Sequence, residues 1–268
     1  MTPSGIITLT TDFGLSDAYV AMMKGVILCI NPSARLVDVT HQIETGSVSQ
    51  AALLIRETFP YFPEGTVHLA VVDPGVGSDR RPLALQAGAH FFVGPDNGLF
   101  WPVFRDFEGS KAVHLTQSRY FLPNITQTFH GREIFAPAAA HLSLGLSMDS
   151  FGPTVVDLTE TTIPQPYVQG EVLCGQVIRV DHFGNLVTNI SGRELLDFLQ
   201  SDPPRIEAGQ LVIRKLSRVY ADGEDGEPMA LINSSNLLEL AVNLGRASET
   251  IGLRNGEIVG ALVKVSRD

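Results

Sequence analysis

The sequence holds only two cysteines, Cys29 and Cys174, too few for a disulfide framework, and this points to a reducing compartment. Both lie in apolar stretches, one helix-like and one strand-like, and are expected to be buried free thiols. Basic residues are also scarce: 19 Lys and Arg stand against 29 Asp and Glu, for a net charge of -10. No block of Lys or Arg occurs, which excludes a nucleic-acid partner, since such a partner is held by clustered cations on its phosphates. No apolar run approaches the roughly 18 residues of a membrane span, and the N-terminus runs straight into Gly5-Ile6-Ile7-Thr8-Leu9-Thr10 without a signal-peptide pattern. A soluble, cytoplasmic protein with no membrane partner is the expectation. Also missing are a P-loop, a Gly-x-Ser-x-Gly elbow and a Gly-x-Gly-x-x-Gly turn after a strand.

What is present is ordinary globular composition, 44% hydrophobic and 18% charged over 268 residues, enough for one large domain or two smaller ones. The first half alternates strand-like and helix-like segments: strands at Ile6–Thr10, Arg35–Val39 and Thr66–Val72, helices at Asp17–Ile30 and Ser47–Thr58. This rhythm predicts an α/β domain with a mostly parallel sheet and flanking helices over residues 1–155. Leu83–Gln86 and His90–Val93 read as a hairpin, and Arg132–Leu146 as an alanine-rich helix. Residues 156–169 contain Ile163-Pro164-Gln165-Pro166 and are expected to form a linker. Over 170–268 the strands shorten and turns crowd in, with strands expected at Val172–Val180, Leu186–Ile190, Leu211–Leu216, Met229–Asn233 and Glu257–Val265, and one helix near Gly192–Gln200. That pattern predicts a mostly antiparallel, barrel-like domain.

Polar residues cluster where strands should end, the usual ligand position in open α/β sheets. Asp12 follows the first strand. It is either a turn carboxylate or an acceptor for a ligand's hydroxyl pair. Asp17 opens the next helix, so capping and ligand binding compete. Asp73-Pro74-Gly75-Val76-Gly77 follows the third strand and is a good turn sequence by itself, yet Arg80 on the same loop offers a guanidinium to hold Asp73 ionised. His130, in Thr128-Phe129-His130-Gly131-Arg132-Glu133, is a packed histidine or a reactive one; His41, His68, His90, His114 and His141 lack such neighbours and read as packing residues. In the second domain Asp181-His182-Phe183-Gly184-Asn185 and Asn233-Ser234-Ser235-Asn236 form two further clusters. Neither a His-x-x-x-His helix nor a cysteine pair at ligand spacing exists, so zinc is disfavoured, while magnesium on the carboxylates stays open.

Five of these motifs together, Thr11-Asp12-Phe13-Gly14, Val72-Asp73-Pro74-Gly75-Val76-Gly77, Gly94-Pro95-Asp96-Asn97-Gly98, Thr128-Phe129-His130-Gly131-Arg132 and Asn233-Ser234-Ser235 with Leu238-Glu239, resemble the S-adenosyl-L-methionine hydrolase (hydroxide adenosyltransferase) family. That family is related to the fluorinases and chlorinases. The resemblance runs in order over nearly the whole chain. It implies a homotrimer with sites between subunits, and hydrolysis of S-adenosylmethionine to adenosine and methionine with no cofactor or metal. It further implies a catalytic triad of Asp73, Arg80 and His130, with Arg81 adjoining Arg80. Asp12 would hold the ribose diol, and Asp17 and Asp181 the methionine ammonium. Ser234 and Ser235 would lie near its carboxylate, and Phe183 and Asn185 against the adenine with backbone around Val242 and Leu244. Halogenating relatives carry tyrosine, threonine and tyrosine where this chain has Asp73, Val76 and His130, which points away from halide chemistry. A halogenase and a non-catalytic S-adenosylmethionine or adenosine sensor remain the alternatives.

Overall fold

Strands in the first half carry near-continuous apolar runs rather than alternating ones, the pattern of a sheet covered on both faces. In the computed structural model, which describes residues 2–268, they are β1 (Ile6–Thr11), β2 (Arg35–Thr40), β3 (Val67–Val71), β4 (Pro82–Ala87), β5 (His90–Pro95), β6 (Lys111–His114) and β7 (Thr154–Val155). The helices between them are α1 (Tyr19–Ile30), α2 (Val48–Thr58), α3 (Trp101–Asp106) and α4 (Ala136–Ser143). The seven strands form one sheet in the order β2-β1-β3-β5-β4-β6-β7. Its first four strands pair in parallel and the rest antiparallel, so the sheet is mixed. Alternate residues of one strand feed opposite cores: Leu69 and Val71 join Met23, Ile27 and Phe135 under α1 and α4, while Ala70 and Val72 join Ile55, Phe92 and Phe100 under α2 and α3.

The chain divides into two compact units, the first ending at Thr162 and the second spanning Ile163–Asp268. Residues 156–162, expected as the start of a linker, pack with the first unit: Leu158 is buried and Thr159 N–H donates to Asp96 at 2.9 Å. The last residues of the expected linker form a strand, β8 (Tyr167–Gln169), paired with β9 (Val172–Val180). Then follow β10 (Leu186–Ser191), α5 (Gly192–Leu199), β11 (Pro204–Ala208), β12 (Leu211–Ile213), β13 (Pro228–Ile232), β14 (Leu237–Val242), the single-turn helices α6 (Ala247–Thr250) and α7 (Asn255–Ile258), and β15 (Leu262–Arg267). The strand order is β12-β11-β15-β9-β10-β14-β13, antiparallel throughout. A bridge from Leu216 to Ala230 brings the two ends of this sheet together, so it is a nearly closed barrel. Its helix α5 starts where the sequence dictates, on a Ser191–Glu194 capping box.

Several expectations need correction. Helix α1 begins at Tyr19 and its cap, Ala18, makes no side-chain bond, so Asp17 does not cap it. The helix expected from Arg132 is a π-helical turn, Gly131–Phe135, that runs into α4. Glu257 lies in α7, and the last strand starts only at Leu262. The strand expected at Leu211–Leu216 stops at Ile213. Cys174 is buried, but Cys29 is exposed, because it faces away from the buried Val20-Met23-Ile27 stripe of α1. Strands β6, β11 and β14 and helix α3 escaped the sequence reading; each is short or lacks clean periodicity.

Candidate active site

Sheet register places the first cluster. Strands β1 and β3 are parallel neighbours with Thr11 opposite Val71, so Asp12 and Asp73 leave the same edge of the sheet. From β1 the chain moves outward to β2 on one side and returns as β3 on the other. Such a switch point, at the carboxyl ends of the strands, is where open α/β sheets bind ligands.

At that edge Asp73, Arg80 and His130 come together. Arg80 Nε donates to both Asp73 oxygens at 3.0 and 2.9 Å, and Nη2 donates to Asp73 Oδ2 at 2.5 Å. Nη2 also lies 2.7 Å from His130 Nδ1. The pair is nearly sealed, with side-chain exposures of 8% for Arg80 and 4% for Asp73. Because a guanidinium only donates, Nδ1 of His130 must be the acceptor, and the neutral ring carries its proton on Nε2. The ionisation of His130 agrees: burial, and after it the adjacent Arg80 charge, lower its pKa against the opposing pull of Asp73. Both Nη2 hydrogens and the Nε hydrogen are thus committed, which leaves the two on Nη1 as the guanidinium's donors for another molecule. Phe135 supports the group from below, 5.3 Å from Arg80 Cζ to ring centroid.

The neighbouring arginine does different work. Arg81 Nε donates to Asp96 at 2.8 Å and Nη1 to Asp157 at 2.8 Å, so it ties β5's end to the 157–159 segment. Asn97 Nδ2 donates to the Val72 carbonyl at 2.9 Å, which fixes the residue just before Asp73. The Gly94–Gly98 motif is therefore a brace for the Asp73 loop. Gly77 sits at φ +79, and a Cβ there would lie 2.4 Å from the Gln127 carbonyl. Only glycine lets the Asp73 and His130 loops approach so closely.

Asp12 is half-buried and accepts the Gly46 N–H at 2.9 Å on one oxygen, so it also anchors the loop after β2. Asp17 is exposed and lies apart from the triad contacts. Phe13, Tyr19 and Phe129 form an edge-packed triangle with centroids 5.3–5.9 Å apart. With Thr126, Thr128 and Arg132 they line a cavity of about 400 Å³.

The second unit holds a larger cavity, about 880 Å³, and all seven site residues expected in this half line it: Asp181, Phe183, Asn185, Ser234, Ser235, Val242 and Leu244. Asp181 closes the β9–β10 turn, accepting Asn185 N–H at 2.8 Å and its Nδ2 at 3.2 Å. Phe183 and Leu244 are 71% and 85% exposed, leaving apolar faces for a flat ligand. A network that carried no role in the sequence reading backs the serine turn. Buried Glu239 accepts Tyr220 Oη–H at 2.6 Å and Asn233 Nδ2 at 3.0 Å, while Asn233 Oδ1 accepts the N–H groups of Ser235 and Leu237. Burial, then the Glu239 bond, pushes the Tyr220 hydroxyl well above its ordinary value, so it stays protonated as a donor. The signal was present: Glu239 interrupts the apolar run Leu237-Leu238-Glu239-Leu240-Ala241-Val242. Among the described residues no group of three or more His, Cys, Asp or Glu converges as a metal site, and no helix is long and apolar enough to cross a membrane.

A hydrogen-bonded carboxylate–guanidinium–imidazole cluster at a sheet's switch point, in a chain that also carries a large, part-polar pocket, defines an enzyme acting on a small molecule. Models of the SAM hydroxide adenosyltransferase N-terminal and C-terminal domains match residues 7–152 and 175–260, and the chain belongs to that family. An (R)-S-adenosyl-L-methionine hydrolase of Salinispora tropica is 40% identical, the match covering 96% of this chain and 97% of the relative. A fluorinase of Actinoplanes sp. is 29% identical over 94% of this chain and 95% of its own. A crystal structure of an uncharacterized conserved protein from Thermotoga maritima superposes with a TM-score of 0.90 at 34% identity, covering 97% of this chain and all of that one.

Proposed function

We propose that the protein hydrolyses S-adenosyl-L-methionine to adenosine and L-methionine by attack of water or hydroxide on C5′ of the ribose. The observation that carries the reading is the bonded set Asp73–Arg80–His130. At C5′ the sulfonium leaves as a neutral thioether and needs no proton. The nucleophile is the difficulty, because water, with a pKa near 15.7, attacks weakly unless polarised. Arg80 directs its Nη1 hydrogens at that water and stabilises the developing hydroxide. His130 Nδ1 receives an Arg80 hydrogen, so His130 orients the guanidinium, and Asp73, whose oxygens keep spare lone pairs, takes the proton. General-base assistance of this kind contributes about 10²- to 10⁴-fold, and in-line positioning in a dry pocket on the order of 7 to 11 kcal/mol in favourable cases.

In this reading the free oxygen of Asp12 receives the ribose diol. Asp17 and Asp181 face the methionine ammonium, Ser234 and Ser235 its carboxylate, and Phe183, Asn185 and the backbone near Val242 and Leu244 the adenine. The active form is a homotrimer with sites at subunit interfaces. Support comes from the exposed apolar residues Tyr19 and Met22, three apart on one face of α1, with Leu15 just before it, since exposed apolar surface marks an interface; light scattering measures the mass. The two free cysteines fit a cytoplasmic setting. The relative at 40% identity is an (R)-S-adenosyl-L-methionine hydrolase; with the amino acid fixed as L, the R centre is the sulfonium, and we take the R epimer as the substrate.

The test is incubation of purified protein with epimer-resolved S-adenosylmethionine in chelator-containing buffer, with and without chloride, and chromatography of the products. Equal amounts of adenosine and methionine, drawn from the R epimer and indifferent to chelator and chloride, support the proposal. Bound but unconverted substrate would make the protein a sensor, and 5′-chloro-adenosine would make it a halogenase.

A further inference from the structure

The large cavity of the second unit holds a cation that the chemistry above does not use. Two arginines line that cavity, Arg179 and Arg218. Arg218 belongs to the segment that closes the barrel. Leu216 bridges Ala230 in parallel, and Ser217 N–H donates to the Ala230 carbonyl at 2.7 Å. Partners in a parallel pair advance together, so Arg218 comes level with Ile232, the last residue of β13. The Asn233-Ser234-Ser235 turn follows at once. Arg179 stands on β9, which β10 and β14 separate from β13. Of the two cations, Arg218 is the one beside the serine turn.

The main chain of Arg218 is fixed while its charged group is left over. Asp222 Oδ2 accepts the N–H groups of Arg218 at 2.9 Å and Val219 at 3.2 Å, and two residues on, Tyr220 is tied to buried Glu239 at 2.6 Å. Among the described residues the Arg218 guanidinium makes no hydrogen bond and no ion pair, whereas those of Arg80, Arg81 and Arg132 are each bonded to a carboxylate. All five of its N–H donors thus remain for a ligand. The turn beside it has the opposite need. Asn233 commits Oδ1 to the N–H groups of Ser235 and Leu237 and Nδ2 to Glu239, so the serines offer neutral hydroxyls with a carboxylate behind them. An α-carboxylate is ionised near pH 7. Taken from water into this cavity it loses hydration and meets the Glu239 charge, and neutral donors alone do not compensate a buried charge.

We propose that Arg218 is a specificity-determining residue: its guanidinium donates to the methionine carboxylate of S-adenosylmethionine beside Ser234 and Ser235, through the planar fork that fits a carboxylate. The assignment rests on the substrate reading of the preceding subsection. The carboxylate keeps its charge while the C5′–S bond breaks, so the contact holds ground state and transition state alike and shows in KM rather than in kcat.

The test pairs a change in the protein with the matching change in the ligand, on the full chain. Adenosine release is followed from S-adenosylmethionine and from its decarboxylated analogue, which keeps the sulfonium, the ammonium and the adenosine. For a charge-assisted contact the wild-type KM is expected to be about 10- to 100-fold lower for S-adenosylmethionine than for the analogue. Arg218→Ala should raise KM for S-adenosylmethionine by about the same factor, leave kcat within about two-fold and leave KM for the analogue unchanged. Arg218→Lys keeps the charge without the fork and should fall between. An unchanged KM for S-adenosylmethionine in Arg218→Ala overturns the proposal. An equal rise for both substrates overturns it too, because a loss of local structure does not distinguish them. If the wild-type protein binds S-adenosylmethionine without hydrolysing it, the functional reading alone is refuted, and calorimetric dissociation constants for the same two ligands replace KM: a preference lost in Arg218→Ala supports the contact, and a preference that persists overturns it. A wild-type protein that binds neither ligand refutes both.

Discussion

Replacing Asp73 by asparagine removes one charge and almost no volume, which makes it the sharpest probe of the triad. The carboxylate receives Arg80 Nε on both oxygens and Nη2 on Oδ2; asparagine keeps one acceptor and turns an NH₂ toward the other donor. With the two side chains 4% and 8% exposed, the uncompensated guanidinium stays nearly buried. Breaking such a pair costs about 3–5 kcal/mol of stability. The catalytic loss is separate. Removal of the proton acceptor is worth about 10²- to 10⁴-fold in rate, or roughly 3 to 5 kcal/mol of barrier at about 1.36 kcal/mol per decade. Adenosine release at saturating S-adenosylmethionine gives kcat, and a urea titration of the same sample gives stability, so the two losses are read independently at a temperature where the variant is folded. A kcat within ten-fold of wild type in folded Asp73→Asn would refute the assignment of Asp73 as proton acceptor.

Acid should weaken the fold well before its carboxylates protonate. Burial, with His90 adding to it, lowers the pKa of His68 to about 3, whereas the unfolded chain binds that proton near 6.5. Its contribution is therefore complete above about pH 6.5 and is lost as pH falls toward 3: about 2 kcal/mol between pH 7 and 5 and about 5 in all. Urea midpoints that stay flat from pH 7 to 5 would contradict this. Turnover should stay level from pH 8 down to 6.5, through the ordinary histidine range, and fall only below it, as His130, whose pKa is lowered chiefly by burial and then by Arg80, gains a proton on the nitrogen that faces Arg80; a kcat profile that already falls between pH 8 and 6.5 would argue against it. Arg81→Ala, which frees Asp96 and Asp157, is expected to lower the melting temperature while kcat changes only a few-fold, in contrast to Arg80→Lys. Glu239→Gln, which loosens Tyr220 and Asn233 behind the serine turn, should raise KM more than it lowers kcat.

Some of this was decided by local sequence. Apolar runs at Ile6–Thr11 and Val67–Val71 dictate covered strands, the alternation of strands and helices dictates a sheet with helices on its faces, and Ser191 with Glu194 dictates where α5 starts. The polar clusters at strand ends were equally legible, because Asp-Pro-Gly and His-Gly sequences interrupt apolar text in a way that packing alone does not require. Tertiary structure decided the rest. Adjacent Arg80 and Arg81 are indistinguishable in sequence, yet successive side chains of an extended segment point to opposite sides, and one meets Asp73 while the other meets Asp96 and Asp157. The exposure of Cys29 depends on which helical stripe α1 buries. Periodicity cannot see that Asp17 leaves the helix start empty, or that Glu133 reaches back to Thr126, since both depend on the path of a loop. The tautomer of His130 is the clearest case: no property of histidine fixes it, and only the Arg80 donor at Nδ1 does so.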